Sequence, residues 1–242
     1  MLRPKRRSAL VASASLFAAI YAILGAIPLS KLVGAGFLSA SKVVAPLAGM
    51  LLGPVTGSLA SILGDTIDLS TGFIPQNAFG VPVIFADLAV VVTAGLAFSG
   101  RRVASIGLPL ALVVAYALDP LSVLFVGPVP FLWLHLVAFV YLGVALFLEK
   151  DGRIQRLSPL FVVAVSLAAL MCGHLAGTLM GQTLQVRVYG VFTPAVWAAN
   201  LSNIVFPAYP PERIFFTVLS ALVSLPVLRA VKGIREKKSI AS

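Results

Sequence analysis

The chain has 242 residues, 60% hydrophobic and 11% charged, with a mean hydropathy of +1.04; apolar runs long enough to cross a bilayer recur along it, which excludes a soluble globular domain. The formal charge of +10 comes in short Lys and Arg bursts between those runs, without the basic and aromatic stripe that tracks a phosphate backbone, so membrane orientation is its cause and nucleic acid is excluded as a partner. A single cysteine, Cys172, leaves no internal disulfide and no thiolate metal cluster.

Arg3, Lys5, Arg6 and Arg7 open the chain ahead of an apolar run over 9–28. A basic start before an apolar core is also how a secretory signal looks, but this core is longer than usual, and a retained first helix is predicted. Ala14, Ala18 and Ala22 recur every fourth residue along it, continued by Ala26, so one face lacks bulky side chains. That face suits close packing, either within the chain or against a partner subunit.

The next run, SASKVVAPLAGMLLGPVTGSLASILGDTIDLS, is broken by Gly53-Pro54 and closed by Asp65 and Asp68. Pro54 lacks an amide proton and crowds the preceding turn, and Gly53 costs helix stability, so a tight helical hairpin competes with one kinked span. The arms, near 38–53 and 54–70, measure about 24 to 26 Å at 1.5 Å per residue. That is short of the roughly 30 Å hydrocarbon core, so they need shelter from neighbours or a thinned bilayer. Further spans are predicted over 78–99, 103–125, 129–148, 158–182 and 211–231. Pro128, Pro130, Pro159, Pro210 and Pro211 fall near their starts, where a missing amide proton matters least.

Basic residues arbitrate between hairpin and single span. With a hairpin there are eight spans, and both termini share a face with Arg101, Arg102, Lys150, Arg153, Arg156, Arg229, Lys232, Arg235, Lys237 and Lys238. Only Lys31, Lys42, Arg187 and Arg213 are then left opposite. A single crossing inverts every later loop and strands the tetrabasic start on the poorer side. The excess of Lys and Arg in cytoplasmic loops therefore selects the hairpin, an all-α polytopic bundle of about eight spans with both termini cytoplasmic. The same rule argues against a ninth span over 190–207, which is predicted to be an external re-entrant or lid segment.

In this topology the polar residues gather in the outer half. Lys42, Asp65, Asp68, Asn77, Asp119, His135, His174, Gln182, Glu212 and Arg213 all fall near outer ends. Ionisable groups in membranes are costly and by default mark a ligand or ion site. An outward pocket is predicted, lined by the third, fifth, seventh and eighth spans and covered by 29–37 and 185–209. Two readings stand for several residues. Asp65 and Lys42 either pair across the hairpin or meet a ligand; Asp68 is either solvated at the interface or part of the site. Asp87, near mid-membrane, requires a buried partner or a polar ligand. His135 and His174 are either satisfied core histidines or ligands. Trp133, Tyr189, Trp197 and Tyr209 form either an interfacial belt or a stacking surface for a flat ring. Asn200 and Asn203 are amides that a mere lid would not need. The outer surface tilts slightly acidic, a hint of a neutral or cationic solute. No phosphate-binding glycine loop, zinc-protease histidine pair or nucleophile elbow is present, so uphill transport would take its nucleotide hydrolysis from another chain.

Four features in order resemble the substrate-binding membrane subunits, or S components, of energy-coupling factor (ECF) transporters. They are the row Ala14, Ala18, Ala22; the hairpin APLAGMLLGPVTGSLASILGD; an outward loop followed by a span ending in Arg101-Arg102; and the last helix, YPPERIFFTVLSALVSLPVLRAVK. The resemblance implies a six-helix core, here with an added helical pair within 103–148, in the plasma membrane. It also implies an external site for a vitamin or related micronutrient, no catalytic residues, no cofactor and no metal. Docking through the first helix, at Ala14, Ala18 and Ala22, would be to a transmembrane scaffold subunit carrying two cytoplasmic ATPases. Carried onto this chain, its binding positions are the 29–42 segment, Asp65, Asp68, Asn200, Asn203 and Glu212, joined by Asn77 and His174 from the depth argument. The alternative is a stand-alone proton-coupled secondary transporter for a small polar solute, with Asp87 and a histidine as the relay.

Overall fold

The computed structural model describes residues 7–29, 39–74, 80–123 and 128–240. Among these the chain is all-helical. The helices are α1 (Arg7–Gly25), α2 (Ser41–Leu52), α3 (Pro54–Thr71), α4 (Gly80–Phe98), α5 (Arg102–Leu118), α6 (Pro120–Val123), α7 (Pro128–Lys150), α8 (Pro159–Gly181), α9 (Pro194–Asn200) and α10 (Phe206–Ile240). Four helical stretches, Gly80–Phe98, Pro130–Lys150, Pro159–Val188 and Pro194–Ile234, are long and apolar enough to cross a membrane, and shorter apolar helices accompany them. Large apolar side chains stand exposed on the bundle's outside, among them Leu16 and Ile23 on α1, Val140 and Phe147 on α7, and Val218 and Leu222 on α10. Water would penalise such a surface, whereas lipid solvates it; the protein is a helical membrane protein.

The break at Gly53-Pro54 is a turn. Gly53 adopts φ +85°, open to glycine and strained for other residues, and Pro54 starts α3 at the position where its missing N–H costs nothing. The return is antiparallel: Lys42 at the start of α2 and both Asp65 and Asp68 near the end of α3 lie within electrostatic range of one another. Every residue of α2 is buried, the pattern of a helix enclosed on all sides, so neighbours supply the shelter the short arms need. The turn is seated on α4, where a Cβ on Gly95 would stand 2.6 Å from the Pro54 nitrogen. Along α3 the hydroxyls of Ser58, Thr66 and Ser70 each return to the carbonyl four residues back, which satisfies them on the helix's own backbone.

The alanine row turns inward. Ala14 and Ala18 are 5% and 4% exposed, and α1 comes close to α3 at Gly64, where a Cβ would lie 2.9 Å from the Tyr21 Cβ and 3.2 Å from the Ala18 carbonyl oxygen. Ala22 is half-buried and Ala26 exposed. At the end of the bundle shared with the Gly53-Pro54 turn, Glu149 accepts from Arg102 at 2.6 Å and from Arg156 at 2.7 Å, and Arg156 also reaches the Phe98 carbonyl at 3.2 Å.

Two expectations change. The span over 103–125 ends as a long helix at Leu118, where Asp119 turns extended and caps the short α6 by accepting from the Leu121 amide at 2.8 Å. The stretch over 190–207, expected as a re-entrant or lid segment, is helical from Pro194 and runs into α10 through a π-helical passage over Leu201–Val205. A second π-helical passage, Gln182–Val188, extends α8. Such passages insert an extra residue into the helical ladder and re-aim the side chains around them.

Candidate functional site

The C-terminal ends of α1, α3 and α8 and the N-terminal ends of α2, α4, α7 and α10 meet at one end of the bundle, and the polar residues meet there with them. The first group joins the first four helices, α1 to α4. Lys42 Nζ lies 2.5 Å from each carboxylate oxygen of Asp87, and the Tyr21 hydroxyl donates to Oδ2 of the same carboxylate. Asp65 faces this pair, and Asp68 stands in its field. None of these five residues is more than 4% exposed. Both oxygens of Asp65 and Oδ1 of Asp68 lack a hydrogen-bond partner, since neighbouring carboxylates accept and do not donate. Three buried carboxylates against one ammonium leave negative charge that a proton, a cation or a ligand has to offset.

The second group joins α7, α8 and α10. His135 Nε2 and His174 Nδ1 face each other at 3.1 Å; one nitrogen carries the proton and the other accepts it. The rings stack at 14°, Phe131 stacks on both, and the Tyr209 ring lies 4.7 Å from His174 while its hydroxyl donates to the Phe131 carbonyl at 2.7 Å. One turn beyond Tyr209, buried Arg213 interacts electrostatically with both histidines, with Glu212 and with Asp87, linking the two groups. Its Nε and Glu212 Oε1 lack hydrogen-bond partners.

Beside the histidines is a cavity of about 200 Å³ between α4, α8 and the α9–α10 run, lined by His174, Thr178, Gln185, Trp197 and Arg213 among apolar neighbours. The glycine row Gly173, Gly177, Gly181 on α8 borders it and lets α4 and Trp197 approach that helix closely: a Cβ on Gly173 would meet the Ala86 carbonyl oxygen at 2.7 Å, and one on Gly181 the Trp197 ring at 3.1 Å. At the rim of this end, outside the helical spans, Arg187 donates to Asp119 at 2.8 and 2.6 Å. Partial burial alone would raise the Asp119 carboxyl; the Arg187 bonds and the Leu121 amide outweigh it and hold the group below its ordinary range.

The expected residues divide among these places. Asp65 and Asp68 belong to the carboxylate group, not to the cavity wall, and Lys42 pairs with Asp87 in place of Asp65. His174 is both a paired core histidine and a cavity residue, and Glu212 adjoins Arg213. Asn200 is half-buried and Asn203 exposed, and neither lines the cavity. Asn77 lies outside the described residues. The cavity is walled by α4 and α8, so the expected third and fifth spans do not line it. Of the four aromatics, Trp197 lines the cavity and Tyr209 is buried in the histidine stack, while Trp133 and Tyr189 are exposed. His135 and His174 converge with each other and not with a carboxylate; among the described residues no group of three His, Cys, Asp or Glu side chains is placed to hold a metal. Sequence reasoning missed Tyr21 and the role of the glycine row, although GHLAGTLMG shows that row at intervals of four. No protein-family model matches the chain, and neither a curated protein nor a solved structure does.

Proposed function

We propose that the chain is the solute-binding membrane subunit of an energy-coupling factor transporter, taking up a vitamin or related micronutrient across the plasma membrane. The observation that carries this reading is the convergence, at one end of the bundle, of unpartnered buried polar groups around a cavity built from few polar and many apolar side chains, the usual make-up of a small-molecule site. The hairpin turn at Gly53-Pro54, which the resemblance in sequence rests on, supports it. With the basic end cytoplasmic, the cavity end faces outward. A scaffold subunit with two ATPases would supply the energy, meeting α1 along Ala22 and the exposed Leu16, Ile20 and Ile23, because Ala14 and Ala18 are occupied within the chain.

The test starts with mass spectrometry of the small molecule and proteins that copurify with the tagged chain from its own membranes. Uptake of that solute is then followed with and without the copurifying ATPases. Loss of uptake without them is expected.

Lys42 paired to Asp87 beside an unpartnered Asp65 favours a second reading, a proton-coupled transporter working alone. Uptake that survives loss of the ATPases but collapses with a proton uncoupler would establish that reading and reject the first.

A further inference from the structure

The cavity's own chemistry narrows the solute. Among the described residues lining it, Arg213 is the one charged side chain; it is 9% exposed and its Nε has no acceptor. The indole Nε1 of Trp197 is likewise buried without an acceptor. The carboxylates that tilt the sequence toward a cationic solute, Asp65, Asp68 and Asp87, are gathered around Lys42 and do not line the cavity. Two buried N–H donors therefore wait for an acceptor, and leaving them empty costs more than a surface group would. A cavity of about 150 Å³ accepts benzene, so one of about 200 Å³ has room for a solute the size of a substituted ring. The Trp197 indole closes one end of the cavity, where a Cβ on Gly181 would stand 3.1 Å from the ring.

We propose that this cavity binds a small carboxylic acid as its anion, the carboxylate accepting from Arg213 and the Trp197 indole. This rests on the reading of the cavity as the solute site, and it names the solute's class. Arg suits the role because its planar fork matches a carboxylate and stays charged.

The test is calorimetric titration of the purified full-length protein in detergent with benzoate, benzamide and benzylamine, three probes of one shape and different charge. Benzoate is expected to bind tightest, with Arg213→Gln weakening it roughly 10- to 100-fold and leaving benzamide little changed. Trp197→Phe keeps the ring, removes the donor and is expected to weaken benzoate a few-fold, which keeps the proposal testable should Arg213→Gln misfold. Equal binding of the three probes, preference for benzylamine, or no benzoate binding at millimolar concentration overturns it. Benzoate selectivity with ATPase-independent uptake would reject the transporter assignment alone; ATPase-dependent uptake without benzoate binding would reject this inference alone.

Discussion

Replacing Lys42 by Met keeps the length and apolar stem of the side chain and deletes its charge, leaving Asp65, Asp68 and Asp87 buried together with no lysine among them. At the 2.5 Å separation of Lys42 and Asp87, an effective dielectric of about 20 gives a gross attraction of roughly 6 to 7 kcal/mol. Much of that attraction offsets the desolvation of both ions. Removing one partner of a buried pair typically costs about 3 to 5 kcal/mol, because the other charge stays buried alone. For a chain of this size that corresponds to a fall in the unfolding midpoint of roughly 6 to 20 °C. The assay is thermal unfolding of the purified protein in one detergent, followed by tryptophan fluorescence, for Lys42→Met, Asp87→Asn and the double variant. If the pair is the reason for the cost, the double variant recovers most of it, since no unpaired charge of the couple remains. A single variant melting within about 2 °C of the wild type, or a double variant no better than Lys42→Met, would refute the assignment of Lys42 as the counter-charge of the cluster.

The turn and the rim are tested in the same way. Gly95→Ala places a Cβ 2.6 Å and 2.8 Å from the Pro54 nitrogen and Cα, and backbone cannot rotate aside, so a loss of about 1 to 3 kcal/mol is expected. Gly107→Ala on α5 meets open space and is expected to gain a few tenths to about 1 kcal/mol of helix propensity; equal melting of the two variants would contradict the seating of the turn on α4. Asp119 is held below its ordinary range in the folded protein, so its stabilising contribution is present above the unfolded value of about 3.9 and is lost as pH falls through the lower folded value. Asp119→Asn is therefore expected to melt below the wild type at neutral pH, with the gap closing below about pH 3.9. A gap independent of pH would sink that account.

Much of the bundle was legible because local chemistry and charge counts decide it. Pro54 behind Gly53 permits a turn, and the sorting of Lys and Arg along the chain selects it over a kinked span. The same locality hides the helical course of 190–207. Its charges argue against a separate crossing, but nothing in AANLSNIVF announces a π-helical passage that carries a helix through Leu201–Val205 into α10. A π passage depends on how side chains pack on either side, information that periodicity over a few residues does not hold.

The site was legible in its residue types and not in its pairings. Asp65, Asp68, Asp87, His174 and Arg213 are visible in any hydropathy profile as costly exceptions, but their partners are set by helices far apart in the chain. Lys42 reaches Asp87 across 45 residues and Tyr21 reaches it across 66. The alternation of spans says only that these residues share an end of the bundle; rotation of each helix about its axis decides which of them touch. That rotation is set by small residues. Gly64 admits α1 and so aims the Tyr21 hydroxyl at Asp87, and the glycine row of α8 admits α4 beside the space that Arg213 lines. In a lipid-solvated bundle, where burying apolar surface offers little to choose between rotations, positions lacking a side chain specify the contact. Small-residue rows on neighbouring helices are therefore the signal from which a carboxylate-and-lysine cluster of this kind is to be inferred, ahead of the charges themselves.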